Sequence, residues 1–400
     1  MARRVRNLSA AVAGLLVAAV CLAGCAKKTT TPARVPMKGG PELQGEPYVI
    51  GAMFAITGDA SSLGVPERNT AQMLETMINE SGGIDGHPIQ IKIEDTKGEN
   101  TETLNAAKRL VERDKVLAIV GPSRTGTTMA AVGYMEKVEV PLVSCAAGVE
   151  IVEPARKWVF KTPQSDRMAV ETIIEYLKSK KITKIASISD NTGFGKGGMR
   201  EIEKLMPAAG IDVVAKEEYG PKDMSMVTQL TKIKGTKVEA VVCWGTPPGP
   251  GIVAKNMRQL AMTIPLVCSH GVANETFLKT AGEAANGVVL PAGRLLVVDQ
   301  IPDSHPQKAV LKEYADRYQA EFGKPADTFG GHAWDAIQIV ARALKDSGPD
   351  RAKLRDAIEQ TRDFVGTAGT FSFSPEDHNG LTKDAFVLVQ VVDGKWKLLQ

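Results

Sequence analysis

Cysteine and aromatic side chains are scarce in this chain, and the few present are scattered in a way that removes whole classes of chemistry. Of the 400 residues, five are Cys and 5% are aromatic. No two Cys stand in a CxxC spacing, which argues against zinc ribbons and dithiol redox motifs. His87, His270, His305, His332 and His378 occur singly, with no HExxH, no metal-like cluster and no GxSxG elbow for a nucleophile. Neither a metal nor a cofactor is expected, and no catalytic residue stands out. The longest apolar run, residues 10–22, is too short to span a bilayer. Basic and acidic side chains number 49 and 46, so there is no cationic surplus of the kind nucleic acid selects.

What is present begins with an export signal. Arg3, Arg4 and Arg6 precede the apolar run, which ends in Leu22-Ala23-Gly24-Cys25. A charged segment, an apolar segment and small residues before a cleavage point make residues 1–24 a signal peptide. The small-residue pattern resembles a lipobox, with Cys25 as the lipid attachment site and mature N-terminus. Acyl chains there hold a protein to a membrane without a transmembrane helix. Residues 25–46, rich in Lys, Thr, Pro and Gly, read as a flexible tether. Cleavage removes three Arg and no acid, leaving 46 side chains of each sign.

About 350 residues remain, too many for one core and suited to two domains. From Tyr48, short β-branched runs alternate with helical stretches: YVIGAMF, a helix over 68–80, PIQIKIED, a helix over 101–113, VLAIV, a helix over 127–138, then PLVS. Repeated strand and helix imply a doubly wound parallel sheet. A second series follows Lys161-Thr162-Pro163: KIASISD, a helix over 196–208, DVVAKEEY, a helix from 226 to 234, EAVVCWG, a helix over 251–261, PLVCSH and GVVLPAG. Residues 306–360 read as mainly helical and the C-terminus as strands. The expected division is an N-terminal lobe of 47–163 plus 293–378 and a C-terminal lobe of 164–292 plus 379–400. Cys243 and Cys268 both lie in strand-like runs, either as buried thiols or as a disulfide.

In doubly wound sheets ligands bind at the carboxyl ends of the strands, so the loops there carry the interest. Gly121-Pro122-Ser123-Arg124-Thr125-Gly126-Thr127-Thr128 nearly matches a phosphate-binding loop, but Thr127 stands where the Lys is required. Nucleotide hydrolysis is therefore not expected. What survives is a row of hydroxyls and free N–H groups at the positive end of a helix, suited to one carboxylate. The same hydroxyls serve equally as helix caps. Gly193-Phe194-Gly195-Lys196-Gly197-Gly198 lacks the GxGxxG register and reads as a turn from which Phe194 projects, either as a cleft wall or into the core.

Taken in order, GDASSLG (58–64), GGIDGHPIQ (82–90), GPSRTGTT (121–128), PLVSCAAG (141–148), NTGFGKG (191–197) and SHGVAN (269–274) resemble the leucine/isoleucine/valine-type solute-binding proteins of ABC importers over nearly the whole mature chain. The resemblance implies a type I periplasmic binding protein fold, two lobes joined by three crossings that close over an amino acid. It also implies delivery to ABC permease and ATPase subunits, from a periplasmic or cell-surface location, by a protein expected to be monomeric. The family's carboxylate-gripping hydroxyl falls on Thr125 beside Ser123, with backbone contacts at Ala146. Walls fall on Leu63, Phe194 and Phe329, and near Thr246.

Three positions depart from the family pattern. Leu63 replaces an aromatic, Gly148 replaces a Thr that helps hold the head group, and His270 replaces the acid that pairs with the α-ammonium. A buried ammonium without an opposite charge is costly, so the expected ligand is a small carboxylic acid, aromatic or aliphatic, rather than an unmodified branched-chain amino acid. Alternatively another acid, such as Glu275, takes the pairing role. Arg124 either adds a bidentate contact to the carboxylate or is structural, while His332 and His378 are expected to be structural or exposed. A ligand-sensing module of the same fold is the competing function, and an enzyme lacks the constellation it would need.

Overall fold

The computed structural model describes residues 43–399. The expected signal peptide, the lipid-attachment Cys25 and the tether up to residue 42 lie outside the described residues. The last tether residues are docked: the N–H groups of Gln44 and Gly45 both reach Gly86 O at 3.1 Å, and Tyr48 stacks on His87 with ring centroids 4.7 Å apart.

In the first lobe β1 (Tyr48–Phe54) is followed by α1 (Ser61–Glu80), β2 (Ile89–Asp95), α2 (Asn100–Lys108), β3 (Ile119–Val120), α3 (Thr125–Val138), β4 (Leu142–Ser144) and β5 (Val159–Lys161). The sheet order is β2-β1-β3-β4-β5, with β1 paired in parallel to β2 and β3. A strand covered on both faces by helices needs apolar residues without alternation, and β1 supplies YVIGAMF, buried at six of its seven positions.

The second lobe repeats the plan with α4 (Asp166–Ser179), β6 (Lys184–Asp190), α5 (Gly193–Ala208), β7 (Asp212–Tyr219), α6 (Val227–Lys234), β8 (Ala240–Trp244), α7 (Gly249–Gln259), β9 (Leu266–Cys268), α8 (Glu275–Ala281) and β10 (Val289–Ala292). The chain then supplies α9 (Lys308–Phe322), α10 (Thr328–Ser347) and α11 (Arg351–Glu359), a small ribbon of β11 (Phe364–Val365) and β12 (Thr370–Phe371), and finally β13 (Val387–Val392) and β14 (Lys395–Leu398). Helix α10 packs along α1 in the first lobe, while β13 and β14 add antiparallel strands to the second sheet, ordered β7-β6-β8-β9-β10-β13-β14.

The chain passes three times between the two lobes, and side-chain hydrogen bonds brace the first pass against later segments. Gln164 Nε2 donates to Ala368 O at 2.7 Å, Asn379 Nδ2 to Pro163 O at 2.9 Å, and Thr162 Oγ1 to His332 O at 2.9 Å.

Two helices begin earlier than the sequence pattern suggests. Helix α1 starts at Ser61 although Pro66 lies inside it. Proline removes one helical donor, and the carbonyl it would have reached, Ser62 O, instead accepts from Asn274 Nδ2 of the second lobe at 3.4 Å. Helix α5 starts at Gly193, so the glycine-rich stretch is the helix's first turn and not a loop, with Thr192 Oγ1 accepting the Gly195 N–H at 3.4 Å. Its glycines answer a packing demand: a Cβ at Gly198 would stand 2.1 Å from the Trp244 ring. Cys243 and Cys268 face each other across β8 and β9 as free, buried thiols.

Overpacking a dense core costs about 1–3 kcal/mol. Gly198→Ala is therefore expected to lower the urea midpoint without changing the slope of the transition, and an unchanged midpoint would show that the indole yields at no cost.

Candidate functional site

Both sheets reverse their strand order beside their first strand, at β1/β3 and at β6/β8. A crevice forms where neighbouring connections diverge to opposite faces, and here the two crevices face one another. Between them lies a small cavity. Nine of the ten residues expected at the site line it: Leu63, Ser123, Arg124, Thr125, Ala146, Phe194, Thr246, His270 and Phe329, joined by Cys145, Ala147, Pro163, Gly271 and His332.

Gly148 stands one layer behind. Its N–H donates to Thr125 Oγ1 at 3.2 Å, and a Cβ on it would fall 2.3 Å from Thr125 Cγ2. The absence of a side chain at 148 is thus what leaves room for Thr125 at the start of α3, where the first N–H groups have no helical acceptor.

Gly121 explains how the chain enters that helix. Its φ of 90° is open to glycine, and a Cβ would lie 2.2 Å from Met53 O. Ser123 is occupied on both sides: Oγ accepts the Ala55 N–H at 3.0 Å and donates to the Glu67 carboxyl. Glu67 is fully buried, and burial pushes its carboxyl well above the usual range. Arg124 pairs with Asp59 at 3.1 Å, so its guanidinium already has an anion.

The opposite wall is aromatic. Phe194, in the first turn of α5, lies 5.8 Å from the Trp244 ring and meets the His270 ring edge-on at 5.5 Å. Trp244 and Phe386 meet the same imidazole edge-on at 5.8 and 5.4 Å. Neither ring nitrogen of His270 has a hydrogen-bond partner, and burial pulls its pKa down to about 3, so the ring is neutral. Thr246 is held by its N–H to Asp190 Oδ2 at 3.3 Å.

The expectations for two further histidines divide. His378 is structural, bonded to Val159 O at 2.9 Å and to Glu359 at 3.0 Å. His332 is neither exposed nor merely structural, because α10 brings it from far along the chain to the cavity wall, with Nδ1 unpartnered and its pKa pulled by burial to about 3. Glu275 is not in the cavity at all; it pairs with Lys279 at 2.6 Å beside a separate groove.

Two buried charges behind the wall were not singled out from sequence. Lys161 Nζ donates to Ala147 O at 3.1 Å and Pro163 O at 2.9 Å, the carbonyls of two lining residues. Neither carboxylate oxygen of Asp166 has a hydrogen-bond partner, and Oδ1 lies 3.7 Å from His270 Nε2. Burial drives both groups toward neutrality, Asp166 up to about 8 and Lys161 down to about 8. A Lys directly after the apolar run WVF was the only sequence signal.

The lobes are closed. A Cβ on Gly193 would lie 2.8 Å from Gly126 N across the cleft, and Arg200 reaches Glu150 at 2.7 Å. The arrangement offers donors, apolar walls and neutral imidazoles. Burial raises the Cys145 thiol well above its usual range, leaving no thiolate, and among the described residues no three His, Cys, Asp or Glu are grouped to hold a metal ion. Two lobes meeting around a small cavity define a ligand-binding protein.

Comparison with known proteins places it further. The Periplasmic binding protein family model matches residues 47–395, and the chain belongs to that family. It is 25% identical over 372 residues to the Leu/Ile/Val-binding protein BraC3 of Rhizobium johnstonii, covering 92% of this chain and 98% of the relative. A leucine-, isoleucine-, valine-, threonine- and alanine-binding protein of Pseudomonas aeruginosa is 25% identical, covering 80% of this chain and 83% of that one. Among solved structures, an extracellular ligand-binding receptor from Rhodopseudomonas palustris HaA2 superposes with a TM-score of 0.84 at 26% identity, over 89% of this chain and all of that one. The branched-chain amino acid binding protein LivJ of Streptococcus pneumoniae, in complex with isoleucine, gives 0.79 at 28% identity over 88% and 98%. The fold is that of a type I periplasmic binding protein, and the protein is an extracytoplasmic solute-binding protein.

The depressed pKa of His270 makes a pH prediction. The unfolded chain binds a proton below about 6.5 that the folded chain refuses, so this group's effect on stability worsens as pH falls through that value. The penalty of His270→Gln in urea unfolding should therefore be smaller at pH 5 than at pH 7.5, by about 1–2 kcal/mol. A pH-independent penalty would mean the imidazole is solvated.

Proposed function

We propose that this protein captures a small carboxylic acid, aromatic or branched aliphatic, and hands it in the closed form to the permease and ATPase subunits of an ABC importer. The observation that carries this reading is the charge inventory of the cavity. Thr125 and the free N–H groups of α3 suit one carboxylate, while no acid is among the residues that line the cavity, and the ring at 270 is neutral. Burying an unpaired ammonium there would cost several kcal/mol.

In this proposal Leu63, Phe194 and Phe329 wall the ligand, Ser123, Arg124 and Gly148 support Thr125, Ala146 and Thr246 contribute backbone, and His270 closes the far end. Lobes 47–163 plus 293–378 and 164–292 plus 379–400 move as bodies about the three passes, and ligand selects the closed population. The protein binds without covalent turnover, as a monomer. After removal of residues 1–24 it is held to the membrane by acyl chains on Cys25.

A thermal-shift panel tests the reading with leucine, isoleucine and valine against benzoate, phenylacetate and isocaproate. A binder at 100 times its dissociation constant adds about 2.7 kcal/mol of stability. Stabilisation by the acids and not by the amino acids is expected; the opposite pattern refutes the proposal. Replacing the imidazole with a carboxylate, His270→Glu, should weaken acid binding at least about ten-fold, the equivalent of about 1.4 kcal/mol.

A further inference from the structure

We infer that Asp166 is a positioning residue for ligand selection: its carboxyl O–H donates a hydrogen bond to His270 Nε2, which fixes the imidazole as the Nδ1–H tautomer and makes the ring a donor toward a second oxygen on the ligand. The inference rests on the carboxylate reading above and narrows it to small acids with a further acceptor, 2-oxo acids above all.

Asp166 is fully buried at the first position of α4, and no donor reaches either of its oxygens. Native proteins hydrogen-bond nearly all their buried polar atoms, so such a group signals a partner brought by a small rearrangement or by a ligand. The nearest cation, Lys161, directs two of its N–H groups at Ala147 O and Pro163 O and makes no hydrogen bond to Asp166. Glu150 and Glu201 oppose ionisation of Asp166, while Lys161 and Arg200 favour it, and desolvation outweighs them all, raising its pKa to about 8. Burial thus favours the protonated carboxyl.

A protonated carboxyl is a donor, and the acceptor beside it is His270 Nε2 at 3.7 Å, a gap that a shift of under an ångström turns into a hydrogen bond. The ring is gripped edge-on by Phe194, Trp244 and Phe386, so it cannot turn freely. With Nε2 accepting, the neutral ring must carry its proton on Nδ1, and no protein atom accepts from that nitrogen. His270 is part of the cavity wall, and a ligand seated there is the partner assigned to Nδ1–H. An acid with a bare hydrocarbon end would leave the donor unsatisfied, whereas a carbonyl or second carboxylate would meet it.

The test has two independent arms on the full chain. Nitrogen-15 NMR of the histidine rings in ligand-free protein reports the tautomer directly. The expected result is a bare Nε2 and a protonated Nδ1 at His270, kept in Asp166→Asn, whose amide N–H donates as the carboxyl did, and replaced by a tautomer mixture in Asp166→Leu. A protonated Nε2 in the wild type, or a tautomer that reverses in Asp166→Asn, overturns the inference; should Asp166→Leu fail to fold, these two proteins decide it.

In the second arm, isocaproate is compared with α-ketoisocaproate and phenylacetate with phenylpyruvate by calorimetry. The oxo acid of whichever pair binds should bind about ten-fold more tightly, a preference kept in Asp166→Asn and reduced to within about two-fold in Asp166→Leu. Equal affinity within a pair overturns the inference and leaves the carboxylate reading standing. If no acid binds, the carboxylate reading falls, and the ring tautomer alone decides the role of Asp166.

Discussion

Polar groups placed in a dry cleft between two sheets must each find a partner, and that requirement governs most of what surrounds the cavity. The strand ends deliver loops whose N–H groups and side chains would be hydrated in the open protein, and closing the lobes removes that water. Some groups are then satisfied inside the protein: Ser123 by Ala55 and Glu67, Arg124 by Asp59, and Thr246 through Asp190. Others are not: His270 and His332 in the cavity wall and Asp166 behind it each keep a buried polar atom without a partner. Such atoms beside a cavity suit a place where something binds.

Closure itself depends on what side chains leave out. Gly126 and Gly193 let the N-termini of α3 and α5 approach across the cleft, and Gly148 makes room for the Thr125 methyl. Pro66, which looks like a helix breaker, frees the carbonyl that Asn274 takes from the other lobe. Each is a departure from local secondary-structure preference that finds its reason in a contact between lobes. The amides of Gln164 and Asn379 hold the first and third passes together.

Relatives in the family are named for the branched-chain amino acids they bind. In the proposal made here the far wall of this cavity is a neutral imidazole backed by a carboxyl, a different recognition element from an ionised acid, because it can donate a hydrogen bond without supplying charge.

The two series of strands and helices were legible in the sequence because β-branched runs, helical periodicity and glycine punctuation are local signals. So was the loop row from Ser123 to Thr125, since helix N-termini follow parallel strands by necessity. The start of α5 was misread because glycine's local preference argues for a turn, whereas the packing of Gly198 on Trp244 calls for a helix there. His332, Lys161 and Asp166 were beyond reach for another reason. They sit on α10, β5 and α4, separated in sequence from the loops they serve, and a buried charge has no local signature until the fold shows what surrounds it. The sequence by itself determined the layers and the loops that face the ligand, because those follow from short-range patterning. The tertiary structure alone decided which polar groups lack partners, because that depends on desolvation by segments distant along the chain.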